Sequence, residues 1–175
     1  IGSTDALDVD RVEMGAVADV DAGTSGTYYF DGYEARRQTY IGLQVNASSV
    51  LYRHGFETGN VSGWATATSG MSASPAAALA PANGYGLAAD ATNTGSTEVS
   101  RYVRDQSPAL ESRYRARFYF DPNSAVIVGS HRILDAEPPT GNGFEVRLYP
   151  FGADYQVKIE ATLDGRPVYK KKAKL

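Results

Sequence analysis

Alternation with a period of two is the feature that most restricts what this chain can fold into. Tyr114, Ala116, Phe118 and Phe120 occupy one face of the run 113–120, and Arg113, Arg115, Arg117 and Tyr119 the other. Phe144, Val146 and Leu148 alternate with Glu145, Arg147 and Tyr149; Tyr155, Val157, Ile159 and Ala161 alternate with Gln156, Lys158 and Glu160. Successive strand residues point to opposite faces, so these runs read as strands with one side on a core and one in water. Arg11–Val17 and Thr27–Arg37, rich in β-branched and aromatic residues, read the same way. Val50–Arg53, Tyr85–Asp90, Glu98–Arg104, Ala125–Leu134 and Val168–Lys172 are further strands.

Between the runs lie clusters suited to tight connections: Ala22–Gly26, Pro138–Gly143 and Asp164-Gly165. No stretch sustains helical periodicity for ten residues, and the best helix former, Ala76–Ala80, is bracketed by Pro75 and Pro81. Many short strands without helices predict an all-β fold, an antiparallel β-sandwich of jelly-roll type. The 175 residues suit one compact domain, large enough to fold without a disulfide or a metal. The chain opens at Ile1 and reads as a processed product or an excerpt of something longer.

Charge excludes some partners. A net charge of −3 is far from the basic balance of a nucleic-acid binder, and no apolar run approaches the ~18 residues of a membrane span. The distribution is uneven. Asp5, Asp8, Asp10, Glu13, Asp19, Asp21, Asp31 and Glu34 face only Arg11 within residues 1–35, a balance of −7. Arg166, Lys170, Lys171, Lys172 and Lys174 against Asp164 give the tail from Leu163 a balance of +4. Such ends are either solvated termini or an acidic head that attracts the basic tail of a neighbouring chain.

Raw material for catalysis is scarce, and the chain reads as a non-enzyme. No Glu has Asp two residues later, the spacing that sets paired glycosidase carboxylates on one strand face, and there is no nucleophile elbow or phosphate loop. With no Cys and only His54 and His131, a zinc site or a histidine triad lacks ligands. Asp19–Ser25 resembles the opening of a calcium loop but lacks the closing acid, and reads as a hairpin connection. Arg113, Arg115 and Arg117 form a ladder, which Arg101 and Arg104 join if their strand pairs nearby; it either binds an anion or is neutralised by carboxylates such as Glu145 and Glu160.

Several short motifs resemble jelly-roll carbohydrate-binding modules and laminin-G (concanavalin A-like) bacterial extracellular repeats. They are Gly55-Phe56-Glu57-Thr58-Gly59, Gly63-Trp64, Tyr85-Gly86-Leu87, the strand Tyr114–Phe120, and Tyr28-Tyr29-Phe30-Asp31-Gly32-Tyr33. The last resembles the closing strand of such modules yet precedes the opening motif, so the order is permuted. Residues 1–43 then supply closing strands, 44–54 a connector and 55–175 the main body. Either the head returns to complete its own sandwich or it completes a neighbour. Both cases set the Tyr-Phe-Asp stretch beside Phe-Glu-Thr-Gly as backbone-bonded neighbours. The resemblance further implies a structural Ca2+ held by Glu57 and Asp31; the alternative is that the two cap turns or pair with Arg36 or Arg53. Trp64 at its motif position implies packing.

The expected function is that of a non-catalytic structural or adhesive module, secreted or on the cell surface. It is expected to partner copies of itself or neighbouring repeats by strand complementation, as in a surface fibre. The alternative is a carbohydrate-binding module of a larger secreted glycan-active protein, with a polysaccharide as partner.

Overall fold

A computed structural model describes residues 9–36, 50–80, 84–108, 114–137, 143–163 and 166–175. They form β1 (Arg11–Val20), β2 (Thr27–Arg36), β3 (Val50–His54), β4 (Thr66–Ala67), β5 (Met71–Ser74), β6 (Gly86–Asp90), β7 (Val99–Asp105), β8 (Arg115–Asp121), β9 (His131–Glu137), β10 (Phe144–Phe151), β11 (Asp154–Leu163) and β12 (Arg166–Lys174). One 3₁₀ turn, Pro75–Ala77, follows β5, with the Ser74 hydroxyl accepting from Ala76 N–H at 3.2 Å. That single turn is all that remains of the alanine run, because the prolines at both ends stop propagation.

All the strand pairings are antiparallel and they build two sheets. One has seven strands in the order β12-β11-β10-β9-β1-β7-β4. In the other, β2 runs between β8 on one side and β3 and β6 on the other, with β5 outside β6. The fold is therefore an all-β sandwich. Its core lies where the alternating apolar faces meet: Val12, Met14 and Leu134 from the large sheet, Tyr28, Phe30, Tyr33 and Leu87 from the small one, all fully buried. Each such side chain contributes about 1.5–3 kcal/mol by leaving water.

β2 switches which residues face inward partway along. Tyr28 and Phe30 are buried, then Tyr33 and Ala35, and the odd step falls at Gly32, whose φ is 57°. Its pairing with β8 slips at the same place, between Asp31 and Glu34. The bulge turns both halves of one strand toward the core and sends Asp31, Glu34 and Arg36 to the outer side.

Several expectations are corrected here. Of the segment 44–54 expected as connector, Val50–His54 is described, and it is strand β3, as the run Val50–Arg53 predicts; it pairs with Tyr33–Arg36. The Tyr-Phe-Asp stretch is not bonded to Phe-Glu-Thr-Gly: Tyr28–Phe30 pairs with β6, and Tyr29–Asp31 with β8. Phe56–Gly59 is a turn, closed by Gly59 N–H to the Phe56 carbonyl at 2.9 Å, that follows β3. Ala22–Gly26 is a crossover rather than a hairpin, since β1 and β2 belong to different sheets. β1 and β2 both lie inside sheets of their own chain, β1 between β7 and β9. Residues 1–8 and 37–43 of the expected closing segment lie outside the described residues. No helix among the described residues is long and apolar enough to cross a membrane.

Candidate functional site

The two sheets are unequal, and the difference leaves a groove. Strand β8 bonds only β2 among the described residues, so its other edge ends the small sheet. Opposite, the large sheet runs on through β10, β11 and β12. The space between is a cavity of about 400 Å³ walled by Phe118 and Phe120 of β8, Phe144 and Val146 of β10, Val157 and Ile159 of β11, and Lys171, Ala173 and Leu175 at the tail. Ile159 is 41% exposed and Leu175 49%, although Ile159 stands on the apolar face of its strand. Alternation aimed these side chains inward, and among the described residues no second layer closes over them all.

Basic side chains border the groove. Lys171 and Lys172 line it and are exposed on β12, whereas the exposed Arg115 and Arg117 stand on the face of β8 opposite to Phe118 and Phe120. Arg117 reaches back to Glu34, where Arg53 and Arg36 also converge: Arg53 Nη2 lies 3.2 Å from Oε1, Arg117 Nη2 3.4 Å from Oε2, and Arg36 bonds Oε1. Glu34 is buried and Arg36 is only 1% exposed. Burial raises the Glu34 carboxyl, but hydrogen bonds and charge from Arg36 and Arg53 outweigh it and hold the group below its ordinary value. The carboxylate partner of Arg117 is thus Glu34. Arg113 lies outside the described residues, and Arg101 and Arg104 sit in the other sheet, bonded to Asp90 and Glu13.

Glu57 and Asp31 are far apart in role. Asp31 is fully buried; its Oδ1 accepts from Gly32 N–H at 2.6 Å and its Oδ2 from Leu79 and Ala80 N–H at 2.9 and 2.7 Å. The exposed Glu57 accepts from Gly84 N–H at 2.7 Å. Calcium demands oxygen ligands, and both oxygens of Asp31 already face N–H donors, whose positive ends repel a cation. Each carboxylate instead ties a loop to the sheet, the turn-capping alternative. Among the described residues no group of three or more His, Asp or Glu is placed to hold a metal.

The outer face of the large sheet carries a second charge array that sequence reading missed. Glu13, Asp135, Glu145 and Glu160 stand directly opposite one another across β1, β9, β10 and β11. Like charges in register repel, so cations interleave: Arg104 Nε to Glu13 at 2.8 Å, Arg132 Nη1 to Asp135 at 2.5 Å, Arg147 Nε to Glu145 at 2.5 Å and Lys158 Nζ to Glu160 at 2.5 Å. Burial pushes the Asp135 carboxyl up to about 6, with Arg132 opposing and Glu145 and Glu13 adding to the rise. The Asp135 and Glu13 side chains are each only 8% exposed. Capped by arginines, this pair is closed to a substrate.

His131 is fully buried at the start of β9, with its Nε2 against the Tyr28 hydroxyl. Burial brings its imidazole down to about 4, against the pull of Asp21 and Asp19. His54 accepts the Phe56 N–H at Nδ1 (3.2 Å), and burial lowers it as well. Trp64 packs in the core against Tyr33, Tyr52 and Phe56, with ring centroids 5.2, 4.9 and 6.0 Å away. Gly63 must stay small, because a Cβ there would lie 2.5 Å from His54 Nε2.

Comparison with family models, curated proteins and solved structures returns no match. The resemblance to jelly-roll carbohydrate-binding modules and laminin-G repeats rests on its short motifs alone.

Proposed function

We propose that this chain is a non-catalytic structural or adhesive module of jelly-roll type, secreted or on the cell surface, that associates with copies of itself or with neighbouring repeats by strand addition. One observation carries the reading: an apolar groove opens between two sheet ends, β8 and β12. An extended segment laid along β8 satisfies its free backbone groups and at the same time covers Val157 and Ile159. Lys171 and Lys172 in the groove wall favour an acidic donor. The chain carries such segments in its head, where Asp5 and Asp8 belong to residues outside the described structure.

Light scattering on a concentration series tests this. The native chain is expected to form oligomers that dissociate in ~0.5 M salt, where screening lengths fall to a few ångströms. Ile159→Lys, a charge at a half-exposed groove position, is expected to leave a folded monomer. A native chain that stays monomeric throughout, or an Ile159→Lys variant that still assembles, overturns the proposal.

A further inference from the structure

Strand β8 ends the small sheet among the described residues, and its two faces differ. Ala116, Phe118 and Phe120 line the groove; Arg115, Arg117 and Tyr119 are exposed on the other side. Each outward residue has one neighbour in register on β2: Asp31 for Tyr119, Glu34 for Arg117 and Arg36 for Arg115. This row is short of acid. Glu34 already serves Arg36 and Arg53 besides Arg117. Arg115 stands opposite a like charge, which is unfavourable directly across a pair of strands, and it has no acidic partner among the described residues.

Shape restricts what can lie beyond β8. The large sheet continues beneath that position as β11 and β12. Strands in a sheet stand about 4.8 Å apart, so the uncovered shelf is about two strands wide. The edge of a second folded sandwich does not fit there, because its own large sheet would have to occupy the layer that β11 and β12 fill. A lone extended segment brings no second layer and fits. Once bonded to β8, its residues lie opposite those of β8 and on the same faces. Those beside Phe118 and Phe120 point into the groove over Val157 and Ile159; those beside Arg115 and Arg117 point outward to the two arginines. A slip of one residue exchanges the two sets, so the edge reads alternation as well as charge.

We infer that β8 selects an extended strand in which acidic and apolar residues alternate, the apolar ones entering the groove and two acids flanking Arg115 and Arg117. This rests on strand addition at β8 and names what the added strand must carry. Arg115 is the specificity-determining position, because an acid beside it supplies the counter-charge that β2 withholds. Asp121, the last residue of β8 on the same face, repels a third acid. The arginines also turn away a basic strand, such as the segment of a second copy that carries Lys170, Lys171, Lys172 and Lys174.

Fluorescence anisotropy of labelled peptides on the intact chain, kept dilute enough to be monomeric, tests this. The peptides are Val-Asp-Val-Asp-Val-Thr-Val, its block isomer Asp-Asp-Thr-Val-Val-Val-Val, and the lysine analogue Val-Lys-Val-Lys-Val-Thr-Val. The first is expected to bind saturably, and the other two about tenfold more weakly or less. Arg115→Glu places an acid opposite Arg36, so the melting temperature is expected to hold. The same variant is expected to weaken the alternating acidic peptide about tenfold and to strengthen the lysine analogue. Ile159→Lys is expected to abolish binding of all three. If Ile159→Lys abolishes binding but neither block order nor Arg115→Glu changes it, the inference is overturned and strand addition stands. If no peptide binds in a way that Ile159→Lys abolishes, both are overturned.

Discussion

Asp135→Asn is expected to make the protein more stable at neutral pH, and the gain is expected to vanish in acid. In the folded chain the carboxyl sits at about 6 against an ordinary 3.8. The folded state thus binds this proton more tightly than the unfolded state does. Ionising the group costs the fold about 3 kcal/mol above pH ~6.5, and that cost is removed progressively as pH falls from ~6 to ~4. Asn is neutral at every pH and keeps an amide oxygen for Arg132. The variant's advantage should be up to about 3 kcal/mol near pH 7.5 and close to zero near pH 4. His131 works in the opposite sense. Held at about 4 against 6.5, it is bound neutral by the fold, so acidification from ~6.5 to ~4 removes about 3 kcal/mol. In the native chain these two contributions nearly cancel across this window; in the variant the loss from His131 is no longer opposed by Asp135, and stability falls more steeply on acidification than in the native chain. Urea unfolding followed by Trp64 fluorescence at several pH values measures both curves. Parallel curves for the two proteins would refute the reasoning, because a constant offset carries no titration of Asp135.

Two further perturbations separate structural roles from binding roles. Glu34→Gln is expected to destabilise by about 3 kcal/mol in thermal or urea unfolding, since it withdraws charge from Arg36, which is 1% exposed; a loss below about 0.5 kcal/mol would show that the arginine does not depend on it. Asp31→Asn is expected to cost about 1–3 kcal/mol, because an amide can offer only one oxygen to the N–H groups of Gly32, Leu79 and Ala80, while a chelator leaves the native melting temperature unchanged. A chelator-dependent melting shift lost in Asp31→Asn would restore calcium at that carboxylate.

The motifs that carry the resemblance have packing reasons. Phe56 is fully buried at a φ of 62°, Glu57 holds Gly84, and Gly63 makes room for His54. Gly86 admits no Cβ because the Ala77 carbonyl oxygen would lie 1.7 Å away. Such residues are legible as motifs, but the neighbours that demand them come from distant segments.

Local pattern alone determined many of the strands: side chains two residues apart share a face whatever the strand pairs with, so period-two runs mark β8, β10 and β11 without knowledge of partners, and β-branched and aromatic content marks β1 and β2. It also determined that the alanine run would give no more than the one turn at Pro75–Ala77, because proline closes it at both ends. Strand order and register were decided only in three dimensions, by which apolar faces could be covered together and by the bulge at Gly32. From register follow the features that matter for function. Four acids from four strands meet in one row, Arg101 and Arg104 part from Arg117, and the large sheet outruns the small one to leave the groove between β8 and β12.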